Sequence, residues 1–155
     1  DEVVRSFRPD IVVAGELIEH TPDTLGWISR LSRVATGTRF IATTPNATSI
    51  LNLGLAFMGR ENCHQDHLQV YSFKTLTTLS RRLGMRNVRI IPYRYDPHLI
   101  LGRTPGLLRP LVFLVNGAIL VPVQFLFPLT AFGLILDGIL GTPSAEERNP
   151  AGTHE

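Results

Sequence analysis

The sequence is short of the residues that build cross-links and thiolate centres. Its 155 residues hold one cysteine, Cys63, so neither an internal disulfide framework nor a cysteine zinc site can be assembled within it. A reducing, cytoplasmic setting is the expectation. Lysine is equally scarce: Lys74 stands alone, and every other cation among the 15 Lys and Arg residues is an arginine. These are scattered rather than massed, so the net charge of +2 makes no stripe or block suited to nucleic acid. Gly54, Gly59, Gly102 and Gly106 are isolated, and no GxGxG-like loop occurs to cradle a cofactor. The chain opens on Asp1-Glu2, which is no secretory signal, and it has no initiator Met. A fragment is expected, its upstream part lying elsewhere. No internal repeat is visible.

Charge is also absent from Pro110 to Leu136. Length alone permits one membrane span. Pro110, Pro122 and Pro128, with Asn116 and Gln124, oppose a simple one, because they interrupt the helix or need polar partners. Two short apolar helices, roughly 106–120 and 123–132, are expected, either at an interface, as a hairpin, or as a lid over an apolar cavity.

The remaining chain alternates strand and helix. Residues 10–15, rich in Val and Ile, predict a fully buried strand. Thr21, Pro22 and Asp23 mark a helix start, with Leu25, Ile28 and Leu31 at helical spacing and Gly37 as the stop. A second strand covers 38–44 and halts at Pro45. An apolar patch at Ile50–Met58 suggests a helix within an irregular stretch. Ser72 caps a further helix that places Leu76, Leu79 and Leu83 inward and ends at Gly84. A third strand, 88–93, carries Pro92 and so belongs near an edge or bulge. Residues 134–140 are a candidate last strand, and 142–155 a disordered polar tail. This order predicts an α/β fold with a parallel sheet and covering helices.

In such sheets the carboxyl ends of strands handle ligands, which makes Glu16, Glu19 and His20 the first candidates for chemistry. Their i, i+3, i+4 spacing puts them on one face of a helical turn. Two carboxylates and an imidazole suit Mg2+ or Mn2+, and His67 would complete a four-ligand set. His64 reads as a loop residue, Glu61 and Asp66 as hydrogen-bonding loop acids, and Cys63 as a small buried hydrophobe. Asn46, in Asn-Ala-Thr, reads as a turn residue after Pro45 lining the site.

The run Asp10–Val13 with Gly15-Glu16-Leu17-Ile18-Glu19-His20, then Thr43-Thr44-Pro45-Asn46, then Asp66-His67 to Ser72, resembles class I S-adenosylmethionine-dependent methyltransferases. The similarity is to the C-terminal half of their Rossmann-like fold, from the fourth strand onward, over about residues 5–95 and the segment 133–141. It implies S-adenosylmethionine as cofactor, with a partial methyltransferase domain at 1–95 and an apolar helical insertion plus last strand at 96–141. The family's glycine-rich loop and ribose-binding acid have no counterpart here. The ExxEH pattern is similar to small-RNA 3′-terminal 2′-O-methyltransferases and, around its EH pair, to ubiquinone-pathway O-methyltransferases. By that resemblance Glu16, Glu19, His20 and His67 are metal ligands. In metal-free relatives the Glu contacts the cofactor, here Glu16, and the His acts as base, here His20 or His67. The apolar stretch favours a lipid-linked or other apolar small-molecule acceptor, or a membrane-surface location, over RNA. The rival is a non-enzymatic, membrane-associated α/β module.

Overall fold

The computed structural model describes residues 6–61, 63–94 and 105–142. Four strands form one sheet: β1 (Ile11–Gly15), β2 (Arg39–Pro45), β3 (Arg86–Tyr93) and β4 (Gly133–Ile139), in the order β1-β2-β4-β3. β1 and β2 are parallel, whereas β4 runs antiparallel to both β2 and β3. The sheet is therefore mixed, not purely parallel. The candidate last strand is an interior one: Leu134 and Leu136 are fully buried, with Phe40 and Ala42 of β2 beside them in the core.

β1 departs from its expected burial. It is an edge strand, and Ile11 and Val13 are 48% and 67% exposed. Its apolar run is suited to neighbours on both sides, but among the described residues only β2 pairs with it. β3 forms the opposite edge, as Pro92 requires, and is irregular between Arg86 and Arg89.

Helix α1 (Thr24–Val34) starts two residues later than expected. Asp23, not Thr21, is its cap, accepting from the Gly26 amide at 2.8 Å, while the Thr21 hydroxyl donates to the Leu17 carbonyl. Ile28 and Leu31 are buried against the sheet. Helix α2 (Ile50–Phe57) is capped by Ser49, and none of its side chains is buried. Helix α3 (Phe73–Arg82) opens with a reciprocal Ser72–Thr75 capping box and buries Leu76. The chain turns off it at Gly84, whose φ of +61° suits glycine.

The apolar segment is one helix, α4 (Gly106–Leu126), not two. Pro122 would clash with the Ala118 carbonyl in a regular α-helix. A π-helical turn over Asn116–Leu120 widens the helix just ahead of it, the Val121 amide bonding the Asn116 carbonyl, so the chain passes the proline unbroken. The polar tail from 143 lies outside the described residues.

Candidate active site

The carboxyl end of β1 leads directly into the site. Glu16 takes a left-handed backbone conformation, φ +47°, and its amide donates to the Thr43 carbonyl and hydroxyl of β2. A single 3-10 turn, Ile18–His20, follows, pinned by fully buried Ile18. Thr24 donates to the Ile18 carbonyl at 2.9 Å. The loop before α3 clamps the turn from outside: the amides of Leu68 and Gln69 both bond the Glu19 carbonyl, and the Gln69 side-chain amide reaches the carbonyls of Thr21 and Pro22. Tyr71, buried, donates within the same group toward Thr24.

This clamp brings Glu19, His20 and His67 together, one ligating atom of each lying within 4.8 Å of the others. Glu19 is 1% exposed, and both its carboxylate oxygens lack a hydrogen-bond partner. Burial pushes its pKa upward and the nearby Glu16 charge adds to this, while its own backbone amide and the adjacent Thr44 hydroxyl pull more weakly the other way. His20 Nδ1 donates to the Asp66 carbonyl at 3.0 Å, which leaves Nε2 with its lone pair. Burial and the neighbouring His20 and His64 lower the pKa of His67, holding it neutral. Its ring packs edge-on against His20 at 4.7 Å.

Glu16 stands outside this set. Its carboxylate accepts a 3.1 Å bond from the Tyr93 hydroxyl, a residue of the opposite edge strand. Tyr93 reaches across β4 because Gly133, paired with it, has no side chain; a Cβ there would strike the ring. Burial, then the Glu16 charge, raises the Tyr93 pKa, so it remains a neutral donor. Asn46 does not line the site. It is 1% exposed and donates at 2.8 Å to the carbonyls of Leu129 and Ala131, tying β2 to the approach to β4. His64 is paired with Asp66 on the loop, and Cys63 is exposed rather than buried.

Beside the cluster opens a cavity of about 580 Å³, lined by Glu19, Thr44 and His67 together with Thr48, Asn52 and Arg60. Thr44 belongs to the Thr43–Asn46 motif, but the sequence alone assigns it no role in the site. Its hydroxyl is buried and unpartnered next to the cluster. The alternation Phe40, Ala42, Thr44 on the buried face of β2 was its signal.

The chain aligns over 89% of its length with a SAM-dependent methyltransferase from Archaeoglobus fulgidus, at a TM-score of 0.53 and 16% identity, covering 63% of that chain. The fold is a methyltransferase fold. Phosphoethanolamine N-methyltransferase 2 of Haemonchus contortus, in complex with S-adenosyl-L-methionine, aligns with 85% of this chain and 33% of its own, at a TM-score of 0.48 and 11% identity. The same enzyme with phosphomonomethylethanolamine and S-adenosylhomocysteine gives 0.48 and 12%, over 86% and 35% of the two chains. The present chain thus spans less than two thirds of these proteins. No protein-family model matches it, and no curated protein matches its sequence. Within this methyltransferase fold, the cluster and the cavity both lie at the carboxyl ends of β1 and β2, where open α/β sheets place their ligands.

Proposed function

We propose that the protein carrying this chain transfers a methyl group from S-adenosylmethionine to a hydroxyl oxygen of a largely apolar acceptor. The chain supplies the acceptor side of the site. Its open β1 edge, with Ile11 and Val13 exposed, suits a further parallel strand, and the glycine-rich cofactor strand would add there. Glu16, at the exposed end of β1, is the residue we assign to cofactor contact.

The observation that carries this reading is Glu19: a buried carboxylate with two unpartnered oxygens, beside two imidazoles, at a ligand-handling strand end. Such a group requires a proton, a cation or a ligand to offset its desolvation. Glu19, His20 and His67 fit a divalent cation, and their mixed oxygen and nitrogen donors favour Mn2+ over Mg2+. When bound, such an ion would lower the pKa of an acceptor hydroxyl. Glu16, engaged with Tyr93, would join only by releasing it.

The protein's own task in an in-line displacement is placement. The acceptor oxygen must sit about 3–3.5 Å from the methyl carbon, which supplies much of the acceleration. Its lone pair forms the new C–O bond as the C–S pair returns to sulfur. Where no cation is bound, the hydroxyl proton passes to a neutral imidazole; His67, with its lowered pKa and its place in the cavity lining, is suited to accept it. His20, oriented by Asp66, is the second candidate.

The test is transfer of labelled methyl to a panel of apolar alcohols and phenols by the full-length protein, with EDTA and with added Mn2+. Loss of activity in EDTA, its return with Mn2+, and its absence in Glu19→Gln and His67→Ala are expected. Unchanged rates in all three conditions would remove the cation, and no transfer to any acceptor would remove the proposal.

A further inference from the structure

We infer that α4 is a membrane-docking helix that lies in the plane of an anionic bilayer and brings the cavity mouth to the lipid surface. The polarity of α4 is inverted relative to a helix of a soluble core. Its buried residues are the polar ones, Asn116 and Gln124, on a stripe shared with half-buried Val112 and Leu120. Its outward surface carries Leu107, Leu111, Phe113, Leu114, Phe125 and Leu126, each more than half exposed. Only 6% of the apolar window is buried. A surface of that size on one element marks an interaction site.

Charge selects the occupant. Between Asp96 and Asp137 the sequence has no carboxylate, and Arg109 stands in the first turn of the helix. At its other end the Arg94 guanidinium lies 5.7 Å from the Phe125 ring centroid. Apolar side chains rimmed by arginines and free of acids complement a negatively charged lipid surface, with the cations at headgroup level. The inward stripe decides between lying on and crossing the membrane. Asn116 and Gln124, 7% and 8% exposed, give α4 one covered polar side, so the helix docks by its apolar side and does not thread the bilayer.

The position of α4 links docking to the site. It is inserted between the carboxyl end of β3 and the start of β4, and Gly133 pairs with both Pro45 and Tyr93. The segment leaving α4 is held by Asn46 and Thr48, at the entrance to α2. Around that same end of the sheet α2 exposes Leu53, Phe57 and Met58, and the following loop Leu68 and Val70. Leu53 and Val70 also line the cavity. An acceptor held in the bilayer could enter without passing through water; this last step rests on the methyl-transfer reading, whereas docking does not.

The test is flotation of the chain with phosphatidylcholine vesicles and with vesicles containing phosphatidylglycerol. Binding to the anionic vesicles, weakened by high salt and reversed by carbonate at high pH, is expected. Phe113→Glu with Leu126→Glu, both at exposed positions, should reduce partitioning on the order of 10-fold or more at unchanged circular dichroism. Val13→Glu, on the exposed β1 edge, should leave it unaltered. No flotation, or flotation indifferent to the α4 pair, overturns docking; resistance to carbonate overturns the in-plane geometry. A stable dimer that the α4 pair dissociates would instead assign the face to a second copy. None of these readouts requires methyl transfer, so each proposal can fail without the other.

Discussion

The Nδ1 atom of His20 lies 3.0 Å from the main-chain carbonyl oxygen of Asp66. A carbonyl only accepts, so this contact places a proton on Nδ1, and in the neutral ring Nε2 is the atom left to act as a ligand. Because the partner is backbone, the Asp66 side chain is dispensable to it. His20→Ala and His67→Ala should each weaken Mn2+ binding on the order of 10- to 100-fold, while Asp66→Ala stays within about 3-fold. Titration of free Mn2+ by electron paramagnetic resonance measures this directly. Equal losses in all three variants would mean that the loop, not the imidazoles, sets affinity.

Glu19 makes an unusual prediction for a buried residue: its removal should not destabilise the cation-free chain. Its folded pKa is raised above the ordinary value of 4.5, chiefly by burial. The stability it contributes is therefore complete below the unfolded value and is lost as pH rises through the folded one. Glu19→Gln lacks that titration. In chelator the variant should match wild type near pH 4 and exceed it by about 1 kcal/mol at pH 7, where the buried charge is costly. With saturating Mn2+ the order should reverse, since only the wild type gains binding energy. Thermal melts at the two pH values, with and without the ion, check both halves.

Asp137 is the opposite case. It sits in β4 between Arg39 of β2, at 2.8 Å, and Arg89 of β3, and ties the three strands together. The Arg39 hydrogen bonds first, and then Arg89, hold its carboxyl down at about 2 against the burial that would raise it. Its contribution is present above the ordinary value of 3.8 and disappears as pH falls toward 2. Both arginines are about half exposed or more, so solvent screening limits the loss in Asp137→Asn to about 1–2 kcal/mol at neutral pH. Urea titrations from pH 7 down to pH 2 should show the variant and wild type converging at the acid end.

Asn46 is expected to matter to structure before chemistry. Asn46→Ala removes the buried bond to the Ala131 carbonyl and leaves the Leu129 carbonyl to the Thr48 hydroxyl alone, and should cost about 1–3 kcal/mol. Hydrogen exchange should rise at residues 127–133 and in the first turn of α2, leaving α1 protected.

The elements that signal themselves locally were legible in the residues alone. Ser72, with its capping partner Thr75, and Gly84 are short-range devices whose meaning does not depend on the rest of the chain. Thr21 misled because Asp23 offers a better-placed acceptor once the 3-10 turn occupies residues 18–20. The sheet order was not legible: no local pattern says that β4, last in sequence, enters between β2 and β3. Nor was the Tyr93–Glu16 bond, which exists only because that order brings Gly133 under the ring. Pro122 reads as a break, and the π-turn that absorbs it leaves no mark in the local sequence pattern.

The central place of β4 also governs when the protein can become a folded object. Until residues 133–139 have been made, β2 and β3 have no strand to share, and each presents an unpaired edge to its surroundings. During synthesis the sheet therefore stays in two pieces through the whole of the apolar α4, and closes only when the last strand slides between them. Nascent chains must carry their most insoluble segment before the core that shields the rest exists.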